Sequence, residues 1–224
     1  MLFRSLHQAD VIRILSDETD ASSTIVHAAG GLPGDVLKLW MSRAPGDYHS
    51  EYGYSCMGYE IAGGLGVKLA HPQREVCVLV GDGSYLMLNS EIATSVALGA
   101  KLTIVLLDNR GFGCIERLQA ATGGASFNNL LGDSAPRVDF AAHARSLGAQ
   151  AEKVDGVAAL SAALEKALGA KRTSVIVIDT DPRRGTVEGG TWWDVAVTDA
   201  PRSSSQQKAR KAYERARKRQ ALGA

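Results

Sequence analysis

"VLVGDGSYLMLN", residues 78–89, decides the fold. An unbroken apolar run, Val78-Leu79-Val80, ends in Gly81-Asp82-Gly83, and a helix-like pattern starts at once. A strand without polar alternation is buried on both faces, as in parallel sheets covered by helices on each side. Such a strand does not finish on a bare carboxylate unless something there needs negative charge. Working outward, Val76–Val80 reads as a buried strand and Leu86–Leu98 as the amphipathic helix that follows it. Leu102–Leu107 and Val175–Ile178 are two more continuous apolar strands, and Thr24–Ala29 is a β-prone run ending in Gly30-Gly31. Helical spacing covers residues 6–18, 33–42, 57–69, 139–147 and 157–168, with Pro33 suited to a first turn. Glycines inside the 57–69 helix cost roughly 1 kcal/mol each against alanine, which points to close packing on another backbone.

Strands alternating with helices specify the α/β class, an open doubly wound, mostly parallel sheet with helices on both faces. Residues 1–180 form that domain. Residues 181–224 are a tail, irregular over 181–204, then a charged helix over 205–221 that packs on it. Residues 120–136 hold Gly, Ala, Asn, Ser and Pro without periodicity and form a long loop of the kind that often carries function.

Composition excludes several classes. Lys and Arg number 25 and Asp and Glu 24, so no global field favours nucleic acid or a membrane surface. No apolar run approaches the ~18 residues of a spanning helix, and Met1-Leu2-Phe3-Arg4-Ser5 lacks the apolar core of a secretory leader. Cys56, Cys77 and Cys114 form neither a zinc pattern nor a disulfide framework, which suits the cytoplasm. Each reads as a small buried apolar residue.

In open α/β sheets ligands sit beyond the carboxyl ends of the strands. Two strand ends here are polar, Gly81-Asp82-Gly83-Ser84 and Asp108-Asn109-Arg110-Gly111. Adjacent parallel strands would bring Asp82 and Asn109 to one crevice. A carboxylate, an amide oxygen and a backbone carbonyl are too few for a calcium cage but suit Mg²⁺, which shares its shell with water and phosphate oxygens. The helix starting near Ser84 turns its free N–H groups toward an anion, and Gly83 lets a phosphate approach the backbone. The reading is a metal–diphosphate site, with two ordinary strand-to-helix turns as the bland alternative.

Gly-Asp-Gly followed after 25 residues by Asn109 resembles the thiamine diphosphate motif of the acetolactate synthase-like enzyme superfamily. "GYSCMGYEIAGGLGVKLA", from Gly53, looks like that superfamily's aminopyrimidine-carrying segment. The resemblance implies a cofactor, thiamine diphosphate with Mg²⁺. It implies metal ligation by Asp82, Asn109 and the Gly111 carbonyl. It places Gly30 and Gly31 at the diphosphate, the Ser55 carbonyl at the exocyclic amine, and Met57 as the wedge that bends the cofactor. Cys56 belongs to the same segment, and Asn109, Gly111, Phe112, Gly113 and Cys114 line the other side. "KLTIVLLDNRGFGCIERLQ", "GGASFNNLL", "VDFAAHARSLGA" and "GGTWWDVAV" are similar to one branch, the trihydroxycyclohexane-1,2-dione hydrolase family of myo-inositol catabolism. That likeness implies a small cyclic dione as substrate, hydrolytic C–C cleavage to a 5-deoxy-glucuronate, and a homo-oligomer when complete. Alternatives are a carboligase of the acetolactate synthase or glyoxylate carboligase type, and a non-catalytic fragment.

The resemblance covers only the diphosphate-binding part. The expectation is that the pyrimidine-binding domain, with the glutamate that promotes ylide formation, is absent and must come from a partner chain or a missing part of the polypeptide. Glu51, Glu60 and Glu91 lie in the matching region without a motif that assigns them that role. His49 and Glu51 read as solvated loop residues or as substrate-facing groups. His27 reads as a satisfied core histidine or one that reaches the ligand. Trp192-Trp193 is either a lid over the ring or an anchor for the tail. The basic run over 208–220 carries one aromatic, Tyr213, and no reading motif, so it is a solvated helix rather than a nucleic-acid site.

Overall fold

A computed structural model describes residues 6–132, 134–186 and 195–219. Its six strands are β1 Ser23–His27, β2 Tyr48–Ser50, β3 Glu75–Gly81, β4 Thr103–Asp108, β5 Gln150–Val154 and β6 Ser174–Asp179. The helices are α1 Gln8–Glu18, α2 Leu32–Leu39, α3 Tyr59–Ala70, α4 Asp82–Met87, α5 Glu91–Ala97, α6 Gly113–Ala121, α7 Phe140–Ser146, α8 Val157–Leu168 and α9 Ser204–Arg219. The strands form one sheet in the order β2-β1-β3-β4-β6-β5, and every pairing is parallel. The expected doubly wound α/β architecture is present.

The continuous apolar runs explain the two layers. Val76, Val78, Val80, Ile104, Leu106, Val175 and Val177 point to one face, where Ile61 and Leu65 of α3, Tyr85 of α4, Ile92 of α5 and Phe140 of α7 cover them. The intervening Cys77, Leu79, Val105, Leu107, Ile176 and Ile178 point to the other, under α1, α2 and α8. Period-two alternation thus persists, but both phases are apolar because both faces are covered.

Four elements differ from the sequence reading. The helix expected over Leu86–Leu98 is two helices, broken at 88–90. Leu88 is extended (φ −154°, ψ 93°), and the Asn89 amide donates to the Tyr85 carbonyl at 3.0 Å, competing with helix propagation. The edge strands β2 and β5 carry no fully buried residue and so lack an apolar run. In α6 only Gly113 is buried, so no core stripe marked it. The loop over 122–139 folds back on the end of β4. Phe112 N donates to Asn129 O at 2.7 Å and Leu131 N to Arg110 O at 2.8 Å. No side chain of α9 is buried; Ser205 Oγ reaches the Gly123 carbonyl at 2.8 Å. Trp192-Trp193 lies outside the described residues. Among those described, no helix is long and apolar enough to cross a membrane.

Candidate functional site

After β1 the chain turns outward to β2, then crosses back to place β3 on the other side of β1. That reversal is a topological switch point, where an open α/β sheet leaves a crevice. Three interior strands end there. β1 runs into Ala28-Ala29-Gly30-Gly31, β3 into Asp82-Gly83-Ser84 and β4 into Asn109-Arg110-Gly111. Gly81 pairs with Leu107 in the sheet register, so Asp82 and Asp108-Asn109 leave the sheet side by side.

A cavity of about 520 Å³ occupies the crevice. Gly30, Gly31, Ser55, Met57, Asp82, Gly83, Ser84, Asn109, Gly111, Phe112, Gly113 and Cys114 all line it. Cys56 does not. It is exposed, contrary to its reading as a buried residue, because the Glu51 carboxylate draws the backbone of this turn outward, accepting from Cys56 N at 2.6 Å and Tyr54 N at 3.0 Å. Those two N–H groups, Cys56 first, hold the Glu51 carboxyl below its ordinary range. Cys77 is core, as expected, and Cys114 is half-buried at the cavity wall. Gly83 is required by packing as well: a Cβ there would stand 2.7 Å from the Phe112 ring.

Asp82, Asn109 and Gly111 converge at the floor. The Asn109 amide lies 3.2 Å from Asp82 Oδ1 and 2.7 Å from the Gly111 carbonyl oxygen, where its nitrogen donates to both. Gly111 N donates to Asp82 Oδ2 at 2.7 Å, pinning the carboxylate. Ligands at 2.0–2.1 Å in an octahedral shell stand about 2.9 Å apart. The two spacings bracket that value, so with the Asn109 amide turned to present its oxygen the carboxylate, amide and carbonyl would fit a small hard cation. Burial, then the nearby Asp108 charge, pushes the Asp82 carboxyl up to about 6 against the backbone N–H groups that stabilise its anion. No ion pair among the described residues offsets this buried carboxylate. Among the described residues, no three His, Cys, Asp or Glu side chains gather in a way that could hold a metal; the candidate set is carboxylate, amide and carbonyl.

The backbone around the crevice is strained in a directed way. Ser55 (φ 53°) and Arg110 (φ 63°) are non-glycine residues in the left-handed region, and both flank the cavity. Arg110 is held by Asp108 Oδ1, which accepts from its N–H at 3.0 Å, and by its guanidinium, which donates to Gly132 O.

Sequence reading missed one group. Glu60 is fully buried under the crevice, and burial raises its carboxyl above the ordinary range against the Ser84 hydroxyl and the backbone N–H groups that bind it. A carboxylate on a helix reads as solvent-facing; the available signal was its place beside Ile61 on the face that Gly64 and Leu65 continue. His49 is neither simply solvated nor at the cavity: its Nε2 sits 2.7 Å from the Tyr59 hydroxyl. His27 is buried with neither ring nitrogen hydrogen-bonded, packs edge-on against Tyr48 and lies outside the cavity lining, so it is not the satisfied histidine expected.

A parallel sheet with an oxygen-floored, glycine-walled crevice at its switch point defines a cofactor-binding α/β domain. The chain belongs to the family described as "Thiamine pyrophosphate enzyme, C-terminal TPP binding domain", whose model matches residues 28–178. It is 41% identical over 223 residues to the 3D-(3,5/4)-trihydroxycyclohexane-1,2-dione hydrolase of Bacillus licheniformis, covering 96% of this chain and 34% of that protein. The enzyme of the same name from Bacillus subtilis is 41% identical over 218 residues, covering 94% of this chain and 33% of its own length. The chain therefore spans about a third of the length of the curated relatives it matches. Among solved structures, the thiamine diphosphate-dependent 4-hydroxybenzoylformate decarboxylase of Rhodococcus jostii superposes with a TM-score of 0.73 at 19% identity, over 81% of this chain and 34% of that one. The benzoylformate decarboxylase of Polynucleobacter necessarius gives 0.70 at 22%, over 79% and 33%. These two establish the fold alone.

Proposed function

We propose that this chain is the Mg²⁺–diphosphate-holding part of a thiamine diphosphate-dependent hydrolase that opens trihydroxycyclohexane-1,2-dione, a cyclic dione, to a 5-deoxy-glucuronate in inositol breakdown. The observation that carries the cofactor reading is the meeting of Asp82, Asn109 and Gly111 at the floor of the switch-point cavity. Identity of 41% with the dione hydrolases supports the substrate class. Asp82, Asn109 and the Gly111 carbonyl hold the cation. Gly30 and Gly31 lie at the N-terminus of α2, where free N–H groups favour the diphosphate. Met57 and the Ser55 carbonyl seat the aminopyrimidine, and Phe112, Gly113 and Cys114 close the opposite wall. Bound there, the cofactor supplies a carbon nucleophile and an electron sink; the chain orients it and excludes water. The proton-transferring glutamate comes from a pyrimidine-binding domain on a partner chain or on the rest of a longer polypeptide, in a cytoplasmic homo-oligomer.

Calorimetric titration of thiamine diphosphate with Mg²⁺ tests the cofactor reading. Wild type binds in a cation-dependent manner and Asp82→Ala loses at least tenfold in affinity; equal binding by the two sinks the assignment. Turnover of the cyclic dione, with a pyrimidine-type domain added, tests the substrate. Turnover of pyruvate or glyoxylate instead would favour a carboligase.

A further inference from the structure

Three turns wall the cavity, and each hangs from a different element. The turn after β1 carries Ala29-Gly30-Gly31, the segment before α3 carries Ser55 to Gly58, and α4 opens with Asp82-Gly83-Ser84. Neighbouring strands fix where the first and third begin. The second leaves the edge strand β2 at Ser50 and is a loop by the time it reaches the cavity.

Glu60 meets all three. Its Oε1 accepts from Ala29 N at 3.4 Å, and its Oε2 from Gly58 N at 3.1 Å. Both oxygens lie within 2.8 Å of the Ser84 hydroxyl, which itself accepts from Gly58 N at 2.7 Å. The side chain is fully buried and has no ion-pair partner among the described residues. Burying a carboxylate without a counter-ion is costly, and an amphipathic helix has no need of one on its packed face. What the carboxylate provides is acceptor capacity: it takes bonds from three separate segments at once, which no apolar side chain can do. The bonds to Gly58 and Ser84 are the short ones, so the tightest tie runs between the Met57-bearing loop and the turn that carries Asp82.

We propose that Glu60 is a positioning residue that locks the Ser55–Gly58 loop to the Asp82–Ser84 turn and so sets the span between the two ends of the bound cofactor. This deepens the thiamine diphosphate reading and rests on it. Glu60 touches no reacting atom. Its effect falls on ligands long enough to bridge both turns.

The test uses the full chain as wild type, Glu60→Gln and Glu60→Ala. Gln keeps one acceptor oxygen and Ala keeps none, so the two should form a graded series. Amide hydrogen exchange on the ligand-free chain should show Gly58 and Ala29 exchanging at least tenfold faster in Glu60→Gln, and faster again in Glu60→Ala, with core amides such as Leu79 and Leu106 unchanged. Calorimetry with Mg²⁺ should show thiamine diphosphate losing tenfold or more in affinity in Glu60→Gln, while Mg²⁺–pyrophosphate, which meets only the diphosphate end, loses less than threefold. A merely structural loss would weaken both ligands equally and would overturn the proposal. Unchanged exchange at Gly58 and Ala29 in a folded Glu60→Gln would overturn it regardless of binding. If wild type binds neither ligand, the cofactor reading fails on its own, and the exchange result still decides whether Glu60 holds the loop. Should Glu60→Ala not fold, Glu60→Gln alone carries both measurements.

Discussion

Gly111 shows how little freedom single positions have at this crevice. Its φ is 139°, and an added Cβ would stand 2.3 Å from the Asn129 carbonyl, a backbone atom that cannot swing away. Gly111→Ala should therefore displace the turn after β4. We expect a loss of about 1–3 kcal/mol in denaturant unfolding and a loss of cation-dependent cofactor binding in the same variant. Retained binding would mean that the carbonyl of residue 111 is not a ligand. His27 makes a different residue-scale prediction. Burial first, then the neighbouring His49, lowers its pKa to about 4 from an ordinary 6.5. The folded chain keeps the ring neutral while the unfolded chain takes up a proton below about pH 6.5. The unfolded state thus binds more protons between those values, and this contribution is intact above about pH 6.5 and lost as pH falls toward 4. The loss amounts to ~3 kcal/mol across that window. His27→Phe should flatten the difference in unfolding free energy between pH 6.5 and 4; an unchanged slope would place the sensitivity in other groups, and not in Asp82 or Glu60, whose raised values act with the opposite sign.

At the scale of elements, the central sheet was legible because its strands are pure apolar runs, and only two-sided burial explains such runs. β2 and β5 were not, since an edge strand with half-exposed residues leaves no hydrophobic signature. α6 was invisible for a related reason: Ile115 and Leu118 line the cavity, not the core. The crevice residues were largely legible, because turn residues at the ends of recognisable strands must meet when those strands are neighbours. Glu60 was not, because a hydrogen-bonding role for a buried carboxylate depends on what the fold brings above it. The break between α4 and α5 was written in Asn89-Ser90, but a continuous apolar pattern on either side outweighed it. Asn89→Ala removes the amide that terminates α4 on the Tyr85 carbonyl. Unfolding should register a loss of about 1 kcal/mol; a gain would mean that the two helices merge without cost.

For the molecule as a whole, several large apolar side chains are exposed, and two of them, Tyr54 and Ile115, line the cavity. Tyr54 is 91% exposed, and Leu86, Met87, Ile115 and Leu131 are each at least half exposed. Exposed apolar surface, where contiguous, is what contact faces between chains are made of. The isolated chain should self-associate in sedimentation velocity, and adding a pyrimidine-type domain should convert that into a defined complex. A clean monomer at high concentration would contradict the partner reading.

Three of the turns that wall the crevice descend from β1, β3 and β4, which are all interior strands of the sheet. Whatever occupies the crevice binds turns that exist only while the sheet is folded, so occupancy and global unfolding become one coupled equilibrium. A ligand at a hundred times its Kd adds about 2.7 kcal/mol to the unfolding free energy. The midpoint of a simple thermal melt should then rise with the logarithm of ligand concentration, making the protein a thermometer for its own cofactor.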